Sequence, residues 1–224
     1  MYTFTLPSGH EIELREMTGV EEELLTNQRL IRSGDAVNQV RRNCIIRIGE
    51  NENVNANDVL DMLSGDRLFV LVKLRQISLG DDVELDLTCQ SPACRAKNHV
   101  IININDLEVR NYGEDREFEV TLPSGKKVRF VYLDGHKEKR LASMNEPSIS
   151  AAMMIRILEI DGAAPNKKAL AEMSMRDRSA LRAEMLKVDA GIDTELDLEC
   201  ESCGSHIRTR LEAEPGFLFP GVRF

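Results

Sequence analysis

Apolar and polar residues alternate on both sides of the same five-residue turn at two places in the chain. The stretches are "FTLPSGHEIEL" and "VTLPSGKKVRF", with the shared Thr-Leu-Pro-Ser-Gly at Thr5–Gly9 and Thr121–Gly125, 116 positions apart. Alternation that resumes after a Pro-Ser-Gly turn predicts a β-hairpin, with Ile12 and Leu14 on one face of the first and Val128 and Phe130 on one face of the second. A helical period then takes over. Thr18 and Glu21 form a capping box that opens a helix over about Gly19–Ile31. Asp35 is placed to cap a second helix, whose apolar positions Val37, Val40, Cys44 and Ile48 share a face and which Gly49 closes. Asp66 is placed to cap a third helix that runs to about Ile77, with Gly80 near its end. In the second half Ser150 is placed to cap "AAMMIRILEI", and Ser174 to cap "MRDRSALRAEMLKV".

The two halves also match after their helices. "GDRLFVLVKLRQISLGDDVELDLTC" (Gly65–Cys89) aligns with "RDRSALRAEMLKVDAGIDTELDLEC" (Arg176–Cys200) at an offset of 111, sharing Asp-Arg, a Gly and Glu-Leu-Asp-Leu-x-Cys. Two landmarks in the same order at nearly the same offset indicate an internal duplication. The expected fold is α+β: two tandem duplicated modules, 1–110 and 118–224, each a β-hairpin, helices and a cysteine-bearing β-hairpin. The polar stretch Arg110–Glu119, with a central Gly, reads as the linker.

This frame changes how the cysteines read. Cys89 and Cys94 form C-x4-C in "TCQSPACR", and Cys200 and Cys203 form C-x2-C in "ECESCGSH". A tight turn aims two thiolates at one point, and a structural zinc takes four ligands in a tetrahedron. If equivalent hairpins of sister modules meet, their four thiolates make one closed site, with one zinc per chain that joins the modules. His99 and His206 lie downstream of each pair as spare imidazoles, each alternatively a strand-surface residue. Free thiols in two turns, or the remnant of a lost site, are the plainer readings. A thioredoxin-type role for Cys200-x-x-Cys203 fits poorly, since the motif lies between two predicted strands rather than before a helix. Cys44 lies on an apolar helix face and reads as core.

Composition narrows the function. The chain has 224 residues, 42% of them hydrophobic, and a formal net charge of −9. That sign argues against a surface that tracks nucleic-acid phosphates. The start lacks the basic and apolar regions of a secretory leader, and the apolar runs are too short for a membrane span, so a cytosolic site of synthesis is expected and with it reduced cysteines. There is no phosphate-cradling glycine loop, no G-x-S-x-G and no H-E-x-x-H, so no enzyme and no small-molecule substrate are expected. Asp134 and His136 in "LDGHKEK" read as a turn. The C-terminal "EPGFLFPGVRF" gathers Phe217, Leu218, Phe219, Val222 and Phe224 around two Pro-Gly pairs. It either folds back over the chain's own core or docks a partner through Phe217, Phe219 and Phe224.

The order of "FTLPSGHEIELREMTGVEEELL", "GDRLFVLVKLRQISLG" and a hairpin with paired cysteines resembles the T4-type bacteriophage baseplate hub family. The resemblance is firmest from Phe4 to Cys94. It implies a structural or assembly role in the tail baseplate of a long-tailed phage, with other tail proteins as partners and assembly in the bacterial host cytoplasm. The metal site rests on spacing alone. The alternative is a zinc-ribbon adaptor that binds nucleic acid or a transcription complex, which the acidic flanks "ELDLTC" and "ELDLEC" disfavour. A small hydrolase has the weakest case.

Overall fold

Both predicted hairpins form, and each gains a third strand from a segment whose apolar spacing predicts helix. The computed structural model describes residues 1–144, 148–211 and 215–218. In it β1 (Tyr2–Thr5) pairs antiparallel with β2 (Glu11–Leu14) across the first Pro-Ser-Gly turn, whose Gly9 sits at φ 88°, a left-handed conformation open to glycine. Then come α1 (Gly19–Thr26), α2 (Gln28–Ser33), α3 (Ala36–Cys44), β3 (Ile45–Ile48), α4 (Ala56–Asp61) and α5 (Ser64–Leu79). A hairpin of β4 (Asp82–Thr88) and β5 (Lys97–Asn103) and the short β6 (Val109–Arg110) follow. The second half repeats the order: β7 (Glu117–Thr121), β8 (Lys127–Val131), α6 (Gly135–Ala142), α7 (Ile149–Met154), β9 (Ile157–Ile160), α8 (Lys167–Ala171) and α9 (Met175–Val188). It ends with β10 (Gly191–Ile192), the hairpin of β11 (Glu195–Glu199) and β12 (His206–Arg210), and α10 (Pro215–Leu218). The fold is α+β.

Four helix expectations are corrected. The helix from Gly19 breaks at Asn27, which ends α1 and turns its side chain to the amides of Arg29 and Leu30 to start α2. The helix expected to reach Ile48 stops at Cys44. Ile45–Ile48, rich in β-branched side chains, pairs with β2 instead. In the second half Ser148 rather than Ser150 caps the helix, and Ile157–Ile160 leaves it to pair with β8. Asp66 does not cap α5, which begins after Leu63. Ser174 does cap α9, accepting from the Asp177 amide. Asp134 caps α6 rather than marking only a turn, and the expected linker Arg110–Glu119 gives its ends to β6 and β7.

Asp66 has another task, and the second half repeats it. Its carboxylate accepts from the Ser8 amide of the first Pro-Ser-Gly turn at 2.9 Å, and Asp177 accepts from the Ser124 amide of the second at 3.0 Å. The neighbouring arginines match as well. Arg67 donates to Val59 O at 2.6 Å and to Asn38 at 2.6 Å, and Arg178 donates to Leu170 O at 2.9 Å and to Ser150 at 2.8 Å. Asn55 and Asn166 cap the helices that supply those carbonyls. The register shifts between Glu13 and Leu14 in one sheet and between Arg129 and Phe130 in the other.

Among the described residues the buried apolar side chains fall into two main cores. One holds Leu14, Val40, Val70 and Leu74 from the first half, the other Val128, Phe130, Leu170 and Leu181 from the second. The end of the chain crosses back. Ile192, Leu211, Phe217 and Leu218 are buried in the first core, with Leu85 and Leu196 packed against it, so the roots of both cysteine hairpins rest on one support. Pairing of β10 with β6 and the close approach of Gly191 to Gly65 reinforce this.

Candidate metal centre

Each cysteine pair lies at the tip of a hairpin whose apolar face is held by the first core. In the first tip the Cys89 amide donates to Ala96 O at 2.8 Å and the Cys94 amide to Ser91 O at 3.1 Å, while Arg95 takes φ 54°. In the second the Cys200 amide donates to Ser205 O at 2.9 Å and Gly204 to Cys200 O at 2.8 Å, with Gly204 at φ 69°. In both, then, the residue after the second cysteine turns left-handed and folds the chain around the sulfurs. Arginine is an uncommon occupant of that conformation.

The two tips meet. Cys89 Sγ lies 3.7 Å from Cys203 Sγ and Cys94 Sγ lies 3.8 Å from Cys200 Sγ, and all four sulfurs lie within 4.8 Å of one another. A disulfide would need about 2.05 Å. These are separate thiols converging on one point, drawn equally from two hairpins, and they form a set able to hold a metal ion. Cys89 and Cys200 are buried and Cys203 is exposed, so the site has a dry side and a wet side. Beneath it Ile207, Leu87 and Ala96 form a small apolar floor.

Polar bonds tie the tips together independently of the sulfurs. Asn98, 2% exposed, donates to Ala96 O at 3.1 Å and accepts from the Glu201 amide of the other hairpin at 3.0 Å. Gln90 donates to Arg208 O at 2.8 Å. No spacing rule in the sequence marks Asn98, because its role depends on where the second hairpin lands.

The protonation of the thiols follows their donors. Cys203 is lowered to about 6 by the Ser205 hydroxyl and amide and by Cys94. Cys200 is lowered by the amides of Ser202 and Cys203, against its burial. Cys89 takes the Ser91 amide, which favours thiolate, but burial and the facing Cys200, Cys203 and Cys94 outweigh it and push it up to about 11. Cys94 is likewise raised: its Ala96 amide is outweighed by Cys203, burial and Cys200. Four sulfurs this close cannot all ionise without a cation among them.

The same hairpins lie within a stretch matched almost end to end by a family model, described as "T4 bacteriophage base plate protein", over residues 1–214. The chain belongs to this family. Searches of curated proteins and of solved structures return no match. Membership makes the chain a structural baseplate component of a phage tail, in contact with other tail proteins.

In this base plate protein the remaining candidate residues lie apart from the sulfurs. His99 bonds Asp86 at 3.0 Å and His206 bonds Asp197 at 2.7 Å, both on exposed strand faces. The converging set among the described residues is cysteine only. Cys44 is fully buried beneath α1 and is pushed up to about 12 by burial and the nearby Glu21 carboxylate. Phe217 is buried in the first core. Phe219 and Phe224 lie outside the described residues. No helix among the described residues is long and apolar enough to cross a membrane.

Proposed function

We propose that this chain is a component of the tail baseplate hub, assembled in the host cytoplasm and built from two copies of one module that a structural zinc ion clamps together. The observation that carries the zinc is the sulfur spacing. Thiolates at about 2.3 Å from a tetrahedral zinc stand about 3.8 Å from each other, against 3.7 and 3.8 Å for the two closest pairs here. Four thiolates leave no open position, so the ion holds shape and does no chemistry. The matched turn, arginine and cap bonds of the halves support the duplication, with modules 1–110 and 118–224 and the second module's hairpin seated on the first module's core. A rigid two-headed chain without a catalytic centre suits a place where repeated neighbours must be bridged.

Elemental analysis of the purified protein is expected to return one zinc per chain. With the metal bound, thiol-alkylating reagents should modify none of the four clustered cysteines quickly, and after chelation they should modify all four while Cys44 still waits for denaturant. Absence of zinc, with the four thiols reactive in the native protein, would refute the clamp. Mass spectrometry of purified tails tests the hub assignment separately, since a chain found only in unassembled intermediates would be an assembly factor instead.

A further inference from the structure

The joint between the two halves uses a different end of each. The Ser64 amide donates to Leu133 O at 2.9 Å and the Gly135 amide to Met62 O at 3.2 Å, closing an antiparallel bridge between Leu63 and Asp134. Beside it Glu138 meets Arg67 at 2.8 Å. The helix α6 lands so closely that a Cβ on Gly135 would come within 2.5 Å of Arg67 Nη1 and 2.8 Å of Leu60 Cα. The first half therefore supplies a socket at the α4–α5 corner, and the second supplies a plug at the start of α6.

Each half also carries the opposite end. The socket residues Met62, Ser64 and Arg67 have counterparts Met173, Met175 and Arg178, 111 positions on. The plug residues Leu133, Gly135 and Glu138 have counterparts Met17, Gly19 and Glu22, 116 positions back. Arginine faces the same helix carbonyl in both sockets, and glutamate follows the same capped glycine in both plugs. Among the described residues the amides of Gly19 and Met175 and the carbonyls of Met17 and Met173 make no hydrogen bond, nor do Arg178 Nε and the Glu22 carboxylate. The space at Gly19 is open: a Cβ there would meet no atom within 4 Å. Where His136 and Ser64 stand in the internal joint, the unused ends present Val20, 61% exposed, and Met175, 71% exposed.

We propose that copies of this chain associate head to tail, the start of α1 in one docking on the α8–α9 corner of the next, with Glu22 against Arg178. The occupant is a second copy because the plug and socket match in charge, in unpaired backbone groups and in exposed apolar neighbours, and because the fold already joins the same two surfaces once. The two ends differ, so the contact is heterologous and builds a ring if the rotation closes or a filament if it does not. One element of the internal joint is not repeated. The counterpart of Gly65 is Arg176, so the tight approach of α5 to β10 has no equivalent between copies. The contact is accordingly smaller than the internal joint, and association is weak and concentration-dependent. The proposal does not depend on the metal or on the place in the tail.

Sedimentation velocity of the full-length, metal-loaded chain from micromolar to near-millimolar concentration tests it. Wild type should shift to larger species as concentration rises. Gly19→Ala and Glu22→Arg should each weaken this by roughly tenfold or more with unchanged circular dichroism, Gly19→Ala at an unchanged or slightly raised melting temperature and Glu22→Arg, which reverses a charge in the first turn of α1, at a slightly lowered one. Met175→Asp, at a helix start where acidic residues are tolerated, should spoil the other end. Each spoiled variant alone should stay monomeric, while Glu22→Arg mixed with Met175→Asp should stop at a heterodimer, through the one intact plug and the one intact socket. A wild type that remains monomeric throughout overturns the proposal, as does association that survives both Glu22→Arg and Met175→Asp.

Discussion

Glu21 shows how one side chain can be both buried and charged. It is fully buried, which disfavours its carboxylate, yet the Arg15 guanidinium at 2.9 Å and the amide and hydroxyl of Thr18 at 2.9 Å outweigh burial and bring it to about 2. A folded value below the ordinary carboxylate range means that the fold prefers the ionised form. That contribution is complete above about pH 4.5 and is lost as pH falls toward 2. Urea unfolding across this window should show wild type losing on the order of 2 kcal/mol that Glu21→Gln, already weakened at pH 7, does not lose. Parallel pH profiles for the two proteins would show that Glu21 is not the group responsible. The capping box that produces this site is visible in the sequence as Thr18-x-x-Glu21. Arg15 is not, because it reaches Glu21 from the end of a strand.

Among the elements, the two Pro-Ser-Gly hairpins depend on an acid that lies more than fifty residues away in sequence. Asp66 and Asp177 sit in the first turns of α5 and α9 and satisfy the turn amides of Ser8 and Ser124. Removing such an acceptor leaves a part-buried donor without a partner, a loss of about 1–3 kcal/mol. Asp66→Ala and Asp177→Ala should each destabilise by about that much in chemical denaturation. Asp66→Asn, whose amide oxygen can still accept, should cost clearly less, and equal losses for Ala and Asn would assign the effect to charge instead. The contact also separates what is legible in the sequence from what is not. The hairpins, α9 and the pairing of cysteine tips follow from alternation, caps and spacing. The strands β3 and β9 do not, because "CIIRI" and "IRILEI" carry apolar residues at spacings that suit a helix as well as a strand. Their fate is decided by the open edges of β2 and β8, which claim them through a ladder that no local window contains. The shared Asp-Arg pair is visible as a landmark, but its bond to the other landmark belongs to the tertiary structure.

At the scale of the whole molecule, the halves share several bonds, from the Ser8–Asp66 and Ser124–Asp177 contacts to the arginines on Val59 O and Leu170 O, yet meet asymmetrically. Both cysteine hairpins stand on the first core, and α6 of the second half packs on the first while α1 has no such role. Two positionally equivalent glycines expose the difference. Gly135 is buried against Arg67 and Leu60, and Gly19 opens to solvent. A methyl group at Gly135 must displace a buried guanidinium that also holds Val59 O, Asn38 and Glu138, so Gly135→Ala should cost about 1–3 kcal/mol as overpacking. The same change at Gly19 meets no atom and trades a flexible residue for a better helix former, so it should leave stability unchanged or raise it by up to about 1 kcal/mol. The comparison is best made by denaturant titration of both variants beside wild type, with limited proteolysis to report whether the polar stretch between the halves becomes exposed. Selective cleavage there in Gly135→Ala would show the halves separating while each keeps its own core. If the two alanines proved equally harmless, α6 would not be the contact that locks one half onto the other, and the cysteine-bearing hairpins together with β10 would have to hold them alone.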